Sequence, residues 1–183
     1  MRIGIFGLSG VGKSFLTNEI VSQNLDYVVT SASKLIKQAS HKILLDELNS
    51  PVVKENQSIL INEFESFCKI HKNQSVIVEL HNVIETIDDL IQIEDDVFDN
   101  LKLDVAFFIT RPPEVIFNHR LQDKSRIRAN KTIAEITQLQ ECSLNRFKNT
   151  FTHINISHRV LCNGNIDDFF DFIDFSSPKS KFI

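Results

Sequence analysis

Two spacings of hydrophobic residues divide this chain. Short unbroken apolar runs mark strands buried on both faces, and stripes at i, i+3, i+4 and i+7 mark helices with one face on a core. The runs are RIGIF (residues 2–6), DYVVT (26–30), SVIVE (75–79), DVAFFIT (104–110) and RVLCN (159–163). A helix is predicted from Lys13 to about Val21, with Phe15, Leu16 and Ile20 spaced for one face. The pattern is helical again from Ser31 to Ile70, interrupted by NSP around Pro51, and a weaker helical region continues through Asn100. Pro113 suits the first turn of a helix, where its missing N–H has no partner to lose, and that helix runs to about Leu121. Asn130 is placed to cap the next helix, and Thr132 with Glu135 has capping-box spacing. In the closing IDDFFDFIDF segment, Ile166, Phe169, Phe170 and Ile173 form the buried stripe, with Asp167, Asp168, Asp171 and Asp174 as its solvated face.

Strands alternating with helices predict an α/β fold, a five-stranded parallel sheet between two helical layers. At 183 residues the chain fits one domain, residues 1–183, large enough for a proper core. Its 42% hydrophobic and 24% charged content is that of an ordinary globular protein. A net charge of −4 argues against broad electrostatic binding to nucleic acid or to an anionic membrane. No apolar run approaches the ~20 residues that span a bilayer, and the first residues carry no secretory apolar region. A cytoplasmic location is expected. Cys68, Cys142 and Cys162 are odd in number and far apart, so neither a disulfide framework nor a zinc site is indicated, and they are read as core or half-buried residues.

The chemistry starts directly after the first strand. GLSGVGKS, Gly7 to Ser14, satisfies the phosphate-loop (P-loop) pattern GxxxxGKS/T in full. Gly7, Gly10 and Gly12 let the backbone of Leu8, Ser9 and Val11 turn its N–H groups inward around a β-phosphate. Lys13 reaches the β- and γ-phosphates, the Ser14 hydroxyl ligates Mg2+, and the following helix points its positive end at the same anion. A strand before the motif and a helix after it are the context the motif requires. A nucleoside triphosphate with Mg2+ is the expected ligand.

Arginine is the second signal. Of the seven arginines in the chain, Arg120, Arg126 and Arg128 fall within one nine-residue stretch, RLQDKSRIR. A planar, permanently charged fork suits a transferring phosphoryl group, and an arginine supplied in cis is worth about 10³–10⁵ in rate. The stretch is read as a lid, about residues 119–131, closing over bound nucleotide.

These parts resemble a family. VIVELHNVIET (76–86) looks like the strand-and-turn segment of archaeal-type adenylate kinases, in which an acid, a spacer and a histidine follow the third strand. LKLDVAFFITRPPEVIFNHRLQDKSRIR (101–128) looks like their fourth strand, connecting helix and arginine lid. The acid–x–His segment also resembles that of adenylate kinase-like ATPases associated with ribosome assembly. The resemblance implies a nucleoside-monophosphate-kinase-like P-loop NTPase, with Phe15 continuing the phosphate cradle. It puts Glu79 where the family has an aspartate that holds Mg2+ through water. It turns His81 toward the phosphates and makes Arg120, Arg126 and Arg128 the lid arginines. The acceptor segment would be about residues 30–72. No arginine occurs between Thr30 and Val76, so Lys37 stands near the place of the usual acceptor arginine, with Gln57 matching a family glutamine.

The expected activity is transfer of the ATP γ-phosphate to a nucleoside monophosphate of AMP type. Two alternatives stay open: a nucleotide-binding ATPase or switch acting on a protein partner, and a P-loop kinase for another small acceptor. Direct nucleic-acid binding and membrane association are not expected.

Overall fold

The computed structural model describes residues 1–40, 50–85, 90–123 and 131–176. Five parallel strands form the central sheet: β1 (Arg2–Phe6), β2 (Tyr27–Ser31), β3 (Ser75–Glu79), β6 (Val105–Thr110) and β7 (Ser157–Cys162). Their order across the sheet is β2-β3-β1-β6-β7. Helices α1 (Lys13–Gln23), α2 (Ala32–Ser40), α3 (Ser50–Ile70), α4 (Asp95–Leu101), α5 (Pro113–Gln122), α6 (Ile133–His153) and α7 (Ile166–Ser176) connect the strands. This is the expected five-stranded parallel sheet with helices on both faces.

The strands read as unbroken apolar runs because alternate residues enter two different cores. On one face Ile3, Ile5, Ile77, Phe107 and Ile109 pack with Leu16 and Ile20 of α1, Ile116 of α5 and Phe169 and Ile173 of α7. On the other, Phe6, Val76, Val78, Ala106 and Phe108 pack with Leu35, Phe64, Phe98, Phe147 and Phe151 from α2, α3, α4 and α6. Phe6 is the hub of the second core, with the rings of Phe151, Phe98 and Phe147 at 5.0, 5.3 and 5.4 Å. Such edge and tilted ring pairs favour one arrangement beyond simple area burial.

Four details depart from the sequence reading. The segment expected to be weakly helical through Asn100 opens as an antiparallel hairpin, β4 (Val83–Glu85) with β5 (Leu90–Gln92), and only α4 is helical. Strands of three residues are too short for a period-2 pattern to outweigh a helical one. Phe15 is 69% exposed and leaves the buried face of α1 to Leu16 and Ile20, which lie one turn apart. The cap of α6 is Thr132, joined with Glu135 in a full capping box, whereas Asn130 lies outside the described residues. Pro51 sits in the first turn of α3, where a proline is tolerated, so a helix starts at the break expected around it. Cys68 is buried, but Cys142 and Cys162 are exposed, on the outer side of α6 and at the end of β7. No helix among the described residues is long and apolar enough to cross a membrane.

Candidate active site

Because the five strands are parallel, their carboxyl ends share one edge of the sheet, and the chain leaves β1 in one direction and β3 in the other. Open α/β sheets bind ligands in that crevice. The loop from Gly7 to Gly12 follows β1, Glu79 ends β3, Arg111 follows β6, and the turn at Gly164 follows β7. Gly10 and Gly12 have φ of +87° and +95°, a region that L side chains avoid, and these turns fold the loop around its own N–H groups.

A trans peptide sends its C=O and the next residue's N–H to opposite sides. A loop that turns N–H groups inward therefore presents carbonyls outward, and each needs a donor. The structure supplies one for each of five successive carbonyls. Lys13 Nζ donates to Gly7 O at 2.7 Å and to Leu8 O at 3.2 Å. Arg120 Nε donates to Ser9 O at 2.9 Å, His119 Nδ1 to Gly10 O at 2.8 Å, and Arg111 Nε to Val11 O at 2.9 Å. A carbonyl only accepts, so His119 carries its proton on Nδ1. Gly12 O is taken by Leu16 N of α1 at 3.2 Å.

Glycine at three positions makes room for this outer wall. A Cβ on Gly10 would lie 3.0 Å from Arg120 Cγ, and one on Gly12 would lie 3.4 Å from Arg111 Nε. One on Gly164 would lie 3.4 Å from Arg111 Nη2, so this guanidinium is held between the phosphate loop and the turn after β7. Gln140 of α6 fixes Arg111 further, accepting from its backbone N–H at 3.1 Å and donating to its carbonyl at 3.0 Å.

On the other side of the loop, Ser14 Oγ donates to Glu79 Oε2 at 2.9 Å and Thr17 Oγ1 donates to Oε1 at 2.8 Å. The set is hydroxyl and carboxylate oxygen, the hard donors that suit Mg2+. The Val11 N–H donates to Leu8 O at 3.2 Å and closes the loop on itself, against the expectation that it faces a phosphate. The rest of the loop beside such an oxygen set fits a polyphosphate with its magnesium.

The other predicted residues are spread more widely. Arg120 stands at the loop with its terminal nitrogens on Glu85, at 2.6 and 3.1 Å. Arg126 and Arg128 lie outside the described residues. Lys37 is an exposed residue in the last turn of α2, and Gln57 is half-buried on α3. His81 follows β3 and is half-buried, next to Asn82, which is locked to Ser143 of α6. Sequence reading missed Arg111, His119 and Glu85. Arg111 could have been found, because an arginine directly after a strand that neighbours β1 lies at the binding edge by topology.

A glycine-rich phosphate loop after the first strand of a parallel sheet, with a carboxylate at the end of the next strand over, defines a P-loop nucleotide-binding protein. The model of the AAA domain family (AAA_17) matches residues 6–137, and the chain belongs to that family. No curated protein sequence matches the chain. Among solved structures, it resembles shikimate kinase from Acinetobacter baumannii in complex with shikimate (TM-score 0.64, 12% identity, covering 97% of this chain and 95% of that one). A sugar kinase from Janibacter sp. HTCC2649 superposes with a TM-score of 0.56 at 15% identity, covering 94% of both chains. Shikimate kinase from Bacteroides thetaiotaomicron gives 0.55 at 16% identity, covering 96% of this chain and 93% of that one. At such identities the likeness is one of fold.

Proposed function

We propose that this protein is a Mg-ATP-dependent phosphotransferase that moves the γ-phosphate to a small acceptor, with a nucleoside monophosphate of AMP type as the first candidate. The observation that carries the reading is the phosphate loop whose carbonyls, from Gly7 to Gly12, are each bonded to a donor. Catalysis of this kind is mostly placement and charge neutralisation. In the proposal, Gly7 to Phe15 hold the phosphates, and Lys13 places its ammonium where negative charge grows. Ser14 and Glu79 would hold the magnesium, which when bound would neutralise phosphate charge. Arg126 and Arg128 supply charge from the lid, and closure keeps water from competing with the acceptor. Lys37, Gln57 and His81 form the acceptor side.

A second acceptor class is supported by two observations together. The chain has no arginine between Thr30 and Val76 to grip an acceptor phosphate. The fold is also shared by kinases whose acceptors are shikimate and sugars. A hydroxylated acceptor without a phosphate would not need that arginine.

The test is ATP consumption with Mg2+, alone and with AMP, GMP, CMP, UMP, dAMP, dTMP, shikimate or simple sugars, products being separated by chromatography. Formation of a nucleoside diphosphate supports the first reading, and a phosphorylated hydroxy compound supports the second. ATP loss indifferent to every acceptor would refute both in favour of an ATPase with a macromolecular partner. Lys13→Ala is the control, expected to lose well over tenfold in rate, about 1.4 kcal/mol of barrier per tenfold.

A further inference from the structure

One pair of side chains connects the β4–β5 hairpin to the phosphate loop. Glu85, the last residue of β4, receives both terminal nitrogens of Arg120, Nη1 on Oε2 at 3.1 Å and Nη2 on Oε1 at 2.6 Å. The third nitrogen, Nε, is the one bonded to Ser9 O at 2.9 Å. The Arg120 side chain is 8% exposed and that of Glu85 24%, so the pair is largely shielded from water and from screening. The stem of Arg120 lies on the space left by Gly10.

This is not the posture of an arginine waiting in solvent for a γ-phosphate. A bidentate carboxylate fixes the plane of a guanidinium, and a fixed plane aims Nε. Nε holds Ser9 O outward, and the same peptide then turns Gly10 N–H inward, where a phosphate oxygen would accept it. We propose that Glu85 is a positioning residue for nucleotide binding, acting through Arg120 on the Ser9–Gly10 peptide and so tying phosphate affinity to the β4–β5 hairpin. The inference rests on the reading that the loop binds MgATP, and deepens it by assigning Glu85 and Arg120 to the outer wall of the loop.

The experiment is MgATP affinity by calorimetry for the wild type, Glu85→Ala, Arg120→Ala, the double variant and Lys13→Ala, with thermal unfolding of each. Glu85→Ala is expected to weaken MgATP about tenfold, the equivalent of one charge-assisted hydrogen bond. Arg120→Ala should weaken it at least as much. The double variant should match Arg120→Ala within about twofold, since Glu85 then has nothing to act through. A role in stability alone would lower the unfolding temperature and leave affinity where it was. Should Glu85→Ala fail to fold, Glu85→Gln keeps an acceptor oxygen and removes the charge, with an expected loss of about threefold. Wild-type affinity in the Glu85 variants, tighter binding on release of Arg120, or losses that multiply in the double variant would each overturn the inference and leave the ATP reading standing. A wild type that binds no MgATP, and is matched by Lys13→Ala, would overturn the ATP reading and this inference with it.

Discussion

Replacing Ser143 with alanine isolates the contact that anchors the acid–x–His segment. Asn82 and Ser143 are each 1% exposed, one immediately after His81 and the other in the middle of α6. They exchange two hydrogen bonds, Asn82 Nδ2 to Ser143 O and Ser143 Oγ to Asn82 Oδ1, both at 2.7 Å. The substitution removes the second bond only, and leaves Asn82 Oδ1 inside the protein without its donor. An orphaned buried acceptor costs about 1–3 kcal/mol. Serine and alanine differ by one oxygen, so a cavity adds little to that figure. For a protein of this size each kcal/mol lowers Tm by about 2–4 °C, which gives an expected fall of about 2–12 °C.

Calorimetric unfolding reads this directly, and urea titration separates a change of midpoint from a change of slope. Asn82→Ala should cost more, since it removes both bonds, orphans the Ser143 hydroxyl and leaves a void. The reasoning is refuted if Ser143→Ala unfolds within about 1 °C of wild type, or if Asn82→Ala is the milder of the two. Either result would mean that water or a shifted backbone replaces the lost donor, and that the segment between Glu79 and Glu85 is held by something else.

Arg111→Ala should weaken MgATP by up to about 10- to 150-fold, the equivalent of a charge-assisted bond of about 1.5–3 kcal/mol to Val11 O; binding calorimetry checks it, and unchanged affinity would refute an outer-wall role. Gly12→Ala should impair binding at least as much, because it forces a side chain to a φ of +95° beside Arg111, and a folded variant with wild-type affinity would contradict this. The Glu135 carboxyl is held below the usual carboxylate range, first by the Thr132 backbone N–H and then by its hydroxyl. A depressed pKa adds stability above the unfolded value of about 4.3 that is lost as pH falls through the lower folded value. The Tm advantage of wild type over Glu135→Gln should therefore shrink as pH is lowered through the acid range, and a gap that stays constant would exclude the mechanism.

The layers and sheet were legible because parallel strands buried on both faces leave nothing polar to interrupt them. SVIVE is β3 residue for residue, RIGIF is β1, and Pro113 does start α5. The phosphate loop was legible because its geometry demands glycine at fixed offsets. What sequence could not show is set by distances between segments. Arg120 and Glu85 are 35 residues apart, and Arg111 and Val11 100 apart. Each pair meets only because β6 lies beside β1 and the hairpin folds back after β3. Seen in sequence, Arg120 belongs with Arg126 and Arg128 as one cluster; its bond to Ser9 O sets it with Arg111 and His119 on the phosphate loop.

That regrouping explains how a protein of net charge −4 is built to hold a polyanion. Affinity for phosphate at such a loop comes from N–H dipoles aimed at one point, not from a basic surface. Dipoles can be aimed only if the opposite ends of the same peptides are held, and those ends are carbonyls, which call for donors. Arginine serves well there because its Nε bonds the carbonyl while its two terminal nitrogens remain for a carboxylate or a turn. Glu85 takes them on Arg120, and the Gly164 turn gives Arg111 its space. Cations on the outer wall thus do at a distance what cations on the inner wall do by contact, and they leave the interior clear for the ligand. In the proposed reaction the charge that develops at the γ-phosphate is then left to Lys13, whose Nζ lies on Gly7 O and Leu8 O in this structure, and to Ser14 and Glu79 with the magnesium they would hold.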